Sequence, residues 1–195
     1  MKIVIGVTGA SGAALAAETL RQLSEAGAET HLVMTGGAHI TIAHELGPDA
    51  AAAMREAATF AYDARELGAP IACGSFGADA MAVAPCSMRS LAAIAHGFGD
   101  NLLTRAADVM LKERRRLVLV PREAPLHEGH LKSMLALARM GAIVAPPVPH
   151  FYTKPRSVED IVREIAARVL VWLGLPPGEA MTRWRGVPGI SHDGD

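Results

Sequence analysis

The sequence contains few cysteines, few aromatic residues and almost no net charge, and each shortage excludes a class of protein. Cys73 and Cys86 are too few for a disulfide scaffold, so we expect free thiols in a reducing compartment. The 19 Lys and Arg residues nearly balance the 20 Asp and Glu residues, which argues against nucleic-acid binding driven by bulk positive charge. Aromatic residues make up only 4% of the chain, and the abundant alanine favours closely packed helices instead.

Long hydrophobic runs are also lacking. No apolar run reaches the roughly 18 residues that a membrane-spanning helix needs, so no span is predicted. Residues 1–7 lack the basic start and apolar core of a signal peptide, and we therefore expect a cytoplasmic protein. The length of 195 residues predicts a single domain, which we place at residues 1–175, followed by a surface tail rich in Pro and Gly at 176–195.

Short β-branched runs alternate with helical stretches along the chain. Strands are predicted at residues 2–7, 30–34, 80–84, 117–120 and 142–145. Helices are predicted at residues 13–26, 36–46, 49–58, 88–95, 101–115, 127–140 and 157–173, with Asn101 and Ser157 as N-caps. This alternation indicates right-handed βαβ units, and hence a Rossmann-like or flavodoxin-like α/β fold with a doubly wound parallel sheet.

Ligands bind such sheets at the carboxyl ends of the strands, so the loops that follow the strands hold the candidate site residues. These loops are Thr8–Gly12, Thr35–Gly37, Pro85–Ser90, Pro121–Glu123 and Pro146–Tyr152.

The first of these loops opens a helix, where exposed backbone N–H groups and the helix dipole favour an anion. Gly9 and Gly12 would let the backbone approach a phosphate, and Ser11 adds a hydroxyl. The glycine spacing matches neither the dinucleotide-binding fingerprint nor the P-loop. A phosphate site and a tight turn that needs small residues are therefore equally compatible with this loop.

Hydroxyl groups follow the next strands as well. Thr35 repeats the pattern of the first loop, whereas Glu45 near the end of the following helix is interpreted as a solvated carboxylate. Ser87 and Ser90 either cap the next helix or bind a ligand, and capping is the favoured interpretation. Cys86 has no His beside it in the sequence, so we interpret it as a small buried residue and not as a nucleophile.

Charged residues complete the candidate set. Arg122 and Glu123 directly follow an apolar strand, where Arg can bind a phosphate bidentately and Glu can act as general acid or base. We favour that role over a structural ion pair. Arg105 and Lys112 share a helix face with Asp108, which would hold Arg105 in place. Lys112 is equally explained as a cation that interacts favourably with the dipole at a helix C-terminus.

Four further features have a chemical interpretation. Arg168 lies in an otherwise apolar stretch and requires an anionic partner, and Tyr152 is placed to hydrogen-bond a phosphate. His127 and His130 have a spacing that some metal ligands share, but no third ligand is evident and no metal site is predicted. The tail segment Arg183–Arg185 either covers a neighbouring subunit's site or frays.

Six segments, read in order, resemble one known family. They are Thr8–Gly12, Pro85–Met88, Leu103–Val109, Leu111–Arg115, Pro121–His127 and Pro146–Tyr152. Together they resemble the UbiX/Pad flavin prenyltransferases, formerly called aromatic-acid decarboxylase subunits, over about residues 1–175. Thr35, Gly36–Gly37 and Arg116 depart from the residues that are common in that family.

The resemblance implies a Rossmann-like, metal-independent flavoprotein that binds FMN and forms a homo-oligomer, typically a dodecamer with sites between subunits. Members of the family transfer a dimethylallyl group from dimethylallyl phosphate to N5 of reduced FMN and then close a ring at C6. The product, prenylated FMN, is the cofactor of UbiD-type decarboxylases.

The resemblance also implies roles for individual residues. The flavin would contact Gly9, Ala10, Ser11, Thr35, Ser87, Met88, Arg89, Ser90 and Arg122. The prenyl phosphate would contact Lys112, Arg122, Glu123, Tyr152 and Arg168. The catalytic set would be Glu123, which exchanges a proton with the phosphate, together with Lys112, Ser11, Glu45 and Arg105.

Two other functions stay open at this level. An FMN-dependent cysteine decarboxylase, acting on phosphopantothenoylcysteine or peptide C-termini, would use a His base and a Ser-Ala-Asn-Thr type segment where this chain has Cys86–Arg89. A non-catalytic flavin carrier or structural subunit of a decarboxylase would have no need of the cations in the candidate loops.

Overall fold

The β-strands of the described chain all lie parallel in one sheet. The computed structural model describes residues 1–176, 178, 181–184 and 186. The strands are β1 Lys2–Val7, β2 Glu29–Met34, β3 Phe60–Asp63, β4 Ala80–Cys86, β5 Arg116–Pro121 and β6 Ile143–Val144. Their order is β3-β2-β1-β4-β5-β6, which is the strand order of the Rossmann fold and not of flavodoxin. The predicted doubly wound α/β fold is confirmed.

Helices cover both faces of this sheet. They are α1 Ala13–Glu25, α2 Gly36–Leu46, α3 Ala50–Ala57, α4 Met88–Ala95, α5 Leu102–Lys112, α6 Glu128–Arg139 and α7 Val158–Leu173. Successive side chains of a strand point to opposite faces, so Ile3 and Ile5 pack with α1 and α7, while Val4 packs with α4 and α5. Over the residues that the structure describes, no helix is long and apolar enough to cross a membrane.

Small residues set the distance between the sheet and its helices. A Cβ atom on Gly6 of β1 would lie 2.8 Å from Cδ1 of Leu103 on α5, so a glycine is needed for this close approach. On the other face, Ala80, Ala82 and Ala84 of β4 lie in the core beneath α1 and α7. The alanine-rich composition thus packs helices tightly against the sheet, as the scarcity of aromatic residues predicts.

The structure departs from the predicted elements at three places. β3 is not among the predicted strands, because this edge strand is four residues long and only partly buried, without the apolar run that marks the central strands. α5 ends at Lys112 and not at residue 115, since Arg114 adopts a left-handed φ of 54°. β6 is confined to two residues instead of four.

The predicted N-caps are confirmed. The side-chain oxygen of Asn101 accepts the backbone N–H of Thr104 at 3.1 Å, and Ser157 Oγ accepts that of Asp160 at 3.1 Å. Each bond satisfies one of the unpaired N–H groups at a helix start. The helices that flank the candidate loops therefore begin where their polar residues predict.

Candidate active site

The strand order reverses between β1 and β4, which places a crevice at the carboxyl ends of these two strands. Buried Thr8 joins the two sides of the crevice. Its hydroxyl donates to the carbonyl of Pro85 at 2.7 Å and accepts the backbone N–H of Ser87 at 2.8 Å. Thr8 is missing from the predicted site residues, although its position directly after a strand and before the glycine turn is the signal that marks it.

Glu45, at the end of α2, reaches across to the start of α1. Its carboxylate accepts the N–H of Gly12 at 3.0 Å and that of Ala13 at 2.7 Å. Gly12 adopts a φ of 117°, which turns these N–H groups toward the carboxylate and favours glycine. The interpretation of Glu45 as a merely solvated carboxylate is therefore wrong, because the anion at this helix N-terminus is the protein's own side chain.

The surroundings of Glu45 bring three predicted site residues together. Burial raises the pKa of Glu45, but hydrogen bonds from Ser11 and from the N–H groups of Ala13 and Gly12, with the positive charge of Arg122, outweigh it and leave the pKa below its ordinary value. Ser11, Glu45 and Arg122 thus share one locality, although they come from three different loops and helices.

The first two loops of the candidate site touch through glycines. A Cβ atom on Gly9 would lie 3.1 Å from Cα of Gly37, and Thr41 Oγ1 donates to the Gly9 carbonyl at 3.1 Å. Thr35 caps α2, where its Oγ1 accepts the N–H of Ala38 at 3.3 Å. The contact leaves room only for backbone beside the start of α2, which is an environment that a phosphate group can approach.

The loop after β4 places small polar groups on the other side of the crevice. Ser87 Oγ accepts the N–H of Ser90 at 3.3 Å and donates to Ser90 Oγ at 3.2 Å, so the favoured capping role is confirmed. Met88 and Ser90 are buried. Arg89 is exposed and pairs with Asp100, with 3.0 Å between Nη2 and Oδ2.

The buried Cys86 is unsuited to nucleophilic chemistry. Burial raises the pKa of its thiol to about 12, so the thiol stays protonated at neutral pH. Its backbone carbonyl accepts the N–H of Arg122 at 3.2 Å and thereby ties the loop after β5 to the end of β4. The structural interpretation of Cys86 is confirmed.

Arg122 and Glu123 line an open cleft of about 330 Å³ at the carboxyl edge of the sheet. The remaining lining residues are Pro121, Ala124, Pro146, Pro147 and Val148. A cation and a carboxylate therefore sit side by side between two proline-rich loops, as the placement after β5 predicts.

Tyr152 and Arg168 contact each other, although neither lines that cleft. Arg168 Nη2 donates to the Tyr152 hydroxyl, and Arg168 Nε lies 3.6 Å from Oε1 of the buried Glu164, one helical turn away on α7. Glu164 is the anionic partner that the position of Arg168 requires. Trp184 packs edge-on against Tyr152, with 5.3 Å between ring centroids.

Arg105 and Lys112 lie elsewhere in the chain. Arg105 donates to Asp108 at 2.7 Å and to the carbonyl of Ala72 at 3.1 Å, so the predicted holding role of Asp108 is confirmed. Lys112 Nζ donates to Glu113 at 2.5 Å.

Helix α5 carries Lys112 away from the crevice. It starts near the carboxyl end of β3, where the Leu102 N–H donates to Ala64, and it ends four residues before β5 begins. Lys112 thus lies toward the amino ends of the strands, whereas Arg122 and Glu123 follow the carboxyl end of β5. A single chain does not bring them together.

The two histidines have an ordinary structural role. His127 caps α6, where its Nδ1 accepts the N–H of Gly129 at 3.0 Å, and its ring stacks on His130 with 3.6 Å between centroids. Across the described ranges, no three His, Cys, Asp or Glu side chains cluster closely enough to hold a metal ion. The predicted tail lies partly outside the described residues, Arg185 among them.

Comparison with known proteins assigns the chain to a family. A model of the flavoprotein family matches residues 1–170. A probable UbiX-like flavin prenyltransferase from Bacillus subtilis is 50% identical over 96% of this chain and 91% of its own length. The chain belongs to the UbiX-like flavin prenyltransferases of the flavoprotein family. The predicted resemblance is confirmed.

Solved structures of UbiX-like proteins share the fold closely. The structure of AnUbiX (PadA1) in complex with FMN and dimethylallyl pyrophosphate has a TM-score of 0.91 and 46% identity, covering 95% of this chain and 98% of that one. A dodecameric FMN-dependent UbiX-like decarboxylase from Escherichia coli O157:H7 has a TM-score of 0.91 and 48% identity, covering 95% and 100%. The UbiX-like family therefore accounts for the whole fold described above.

Proposed function

We propose that this chain is a flavin prenyltransferase. It transfers a dimethylallyl group from dimethylallyl phosphate to N5 and C6 of reduced FMN and so makes prenylated FMN. The observation that carries the proposal is the meeting of Ser11, Glu45 and Arg122 at the crevice between β1 and β4, with Glu123 beside them. Membership of the UbiX-like family supports it.

The residues at the crevice fit FMN. The Gly9–Gly37 contact leaves little room for side chains beside the start of α2, and the hydroxyls of Thr35 and Ser87 stand at the starts of α2 and α4. The flavin would be held by Gly9, Ala10, Ser11, Thr35, Ser87, Met88, Arg89, Ser90 and Arg122. When bound and reduced, FMN supplies the nucleophilic nitrogen.

The chain's own charged groups serve the departing phosphate. When the carbon–oxygen bond of the donor breaks, the bonding electron pair leaves with the phosphate and negative charge grows on its oxygens. Arg122 and Arg168 would stabilise that charge with charge-assisted hydrogen bonds, and the Tyr152 hydroxyl adds a further donor. Glu123 would transfer a proton to the leaving phosphate as general acid. The cations take the place of the metal that other prenyl-transfer sites use.

Lys112 and Arg105 enter this scheme from a neighbouring subunit. Both project from α5, and Lys112 lies at the edge of the sheet opposite the crevice, so a second copy of the chain would have to present it. A homo-oligomer with sites between subunits meets this need, and the dodecameric relative supports it. A UbiD-type decarboxylase as recipient of the product and a cytoplasmic location stay predictions.

The test is a reaction of the purified protein with reduced FMN and either dimethylallyl phosphate or dimethylallyl diphosphate. A flavin mass increased by one five-carbon unit, with an altered flavin spectrum, is the expected result, and the better donor identifies the natural phosphate. An unchanged flavin overturns the proposal: with decarboxylated thiol product it indicates a cysteine decarboxylase, and with no reaction a flavin carrier.

A further inference from the structure

Four residues near the predicted prenyl-phosphate site form a closed ring, here called the Glu164 ring. Glu164 Oε1 lies 3.6 Å from Arg168 Nε, and Arg168 Nη2 donates to the Tyr152 hydroxyl. That hydroxyl donates to the backbone carbonyl of Thr182 at 3.3 Å, and the Thr182 N–H donates back to Glu164 Oε2 at 3.0 Å. The ring thus connects a buried carboxylate to two substrate-binding candidates and to the tail.

Glu164 is an unusual residue for its surroundings. Its side chain is 7% exposed, on a helix otherwise packed against the apolar core. A buried carboxylate lowers stability unless it is paired, and here Oε1 has no hydrogen bond, only the guanidinium at 3.6 Å. A glutamine would fill the same space at smaller desolvation cost. What the charge adds beyond the shape and hydrogen bond of a glutamine is the electrostatic attraction to Arg168.

Arg168 gains a defined orientation from this arrangement. A guanidinium carries its donors in a rigid plane, so the hydrogen bond from Nη2 to Tyr152 and the charge attraction of the Nε side to Glu164 together restrict its orientation. His150, whose ring lies 6.1 Å from that of Tyr152, has its pKa lowered by burial and by the charge of Arg168, with Glu164 opposing. The lowered pKa favours the neutral form of His150, which does not compete with Arg168 for the Glu164 carboxylate.

We propose that Glu164 is a positioning residue for the prenyl-phosphate site. It holds the Arg168 guanidinium in place for the phosphate and, through the Thr182 N–H, fastens the tail segment 181–184 beside Tyr152. The inference rests on the proposed function, because it takes Arg168 and Tyr152 as ligands of the phosphate. Glu164 itself does not touch the substrate.

Net electrostatics and positioning predict opposite effects on phosphate affinity when the charge of Glu164 is removed. Without the Glu164 carboxylate the site loses a negative charge, so a phosphate would bind more tightly if only the net field mattered. Positioning predicts weaker binding, because Arg168 is released to other rotamers and must be ordered again on binding. The sign of the change therefore separates the two explanations.

The experiment measures binding of inorganic phosphate to the FMN-loaded full-length protein by calorimetry. Glu164→Gln removes the charge but still accepts the Thr182 N–H, while Thr182→Pro removes that N–H and leaves all other side chains of the ring. Glu159→Gln, an exposed residue in the first turn of the same helix, is the matched control. The dissociation constant of FMN, measured by flavin fluorescence, checks that each variant folds and keeps its crevice.

We expect the phosphate dissociation constant to rise about tenfold in Glu164→Gln, the effect of one charge-assisted contact, and to rise in Thr182→Pro as well. It should not change in Glu159→Gln, and FMN affinity should stay constant in all three. Unchanged or tighter phosphate binding by Glu164→Gln overturns the proposal, as does absence of phosphate binding by the wild type. Failure of the wild type to prenylate FMN is a separate result that rejects the proposed function.

Discussion

Glu45 accepts the backbone N–H of Ala13 at 2.7 Å, so a side chain from the end of α2 stabilises the start of α1. The same carboxylate is close to Ser11 and Arg122. It therefore does two things at the crevice: it accepts the helix N–H groups that the glycine turn exposes, and it places a negative charge within electrostatic range of Arg122 in the loop after β5. The bond gives this carboxylate a structural role beside the proposed flavin phosphate.

The position of Glu45 predicts a pH dependence of stability. Its pKa is below the ordinary value in the folded protein, so the stabilisation is fully present above about pH 4.5 and is lost as the pH falls through the lower folded value. Glu45→Gln should lower the free energy of unfolding at pH 7 by about 1 kcal/mol, the typical contribution of an acceptor at a helix start. Urea unfolding at pH 7 and pH 4 measures it, with Glu56→Gln on the exposed side of α3 as control. A loss that is equal at both pH values would contradict this role.

The contact between Gly9 and Gly37 predicts that a side chain at position 9 disturbs the first two loops. Gly9→Ala would place a methyl group 3.1 Å from backbone atoms of Gly37, so the two loops must shift apart slightly. We expect FMN affinity to fall about tenfold as backbone N–H groups move away from the flavin phosphate. Gly68→Ala is the control, since a Cβ there meets nothing within 4 Å. Equal FMN dissociation constants for the two variants would show that the close approach has no role in binding.

Glu123 is expected to act on the phosphate and not on the flavin. Glu123→Gln cannot donate or take up a proton, so the rate of flavin adduct formation in a single turnover should fall by about 100-fold or more. FMN binding should be unchanged, because Glu123 lines the cleft beside the proline-rich loops. Glu128→Gln, whose carboxylate pairs with Lys132 on α6, provides the control. Production of prenylated FMN by Glu123→Gln at a nearly wild-type rate would remove Glu123 from the mechanism.

A site shared between subunits makes a prediction about mixed oligomers. If Lys112 of one subunit serves the Glu123 of another, then coexpression of Lys112→Ala with Glu123→Gln chains restores about one quarter of the sites to full composition. Each variant alone should be nearly inactive. Prenyl-transfer activity of the mixed oligomer, purified through a different tag on each chain, measures the effect. Mixed oligomers as inactive as their parents would mean that both residues act within one chain.

The sequence predicts most of the elements and the five loops at the carboxyl ends of the strands. The central strands are recognisable because both of their faces are buried, which requires uninterrupted apolar residues, and β4 is the clearest case. The edge strand β3 escapes prediction because pairing with β2 along one side stabilises it without an apolar run. Glycine and hydroxyl residues mark the loops, since tight turns and helix starts need these side chains whatever else surrounds them.

The role of individual charged residues is less predictable. Glu45 looks solvated in the sequence, because nothing local shows that the end of α2 faces the start of α1. The family resemblance groups Lys112 with Arg122, yet α5 carries Lys112 toward the amino ends of the strands. Glu164 belongs to none of the motifs found in the sequence. Its contacts with Thr182 and Arg168 become visible only in the tertiary structure, where the tail packs on α7.

By itself, the order of apolar and polar residues determined the α/β architecture and the loops at the carboxyl ends of the strands, and six specific motif segments carried the resemblance to the family. The architecture and the loops depend on periodicity and on backbone requirements that act over a few residues. The tertiary structure alone decided which groups come together: Glu45 with the N–H groups of Gly12 and Ala13, and Arg168 with Glu164 and Tyr152. Coulomb interactions and hydrogen bonds depend on distances in space, and residues far apart in the chain acquire those distances only when the sheet and its helices pack.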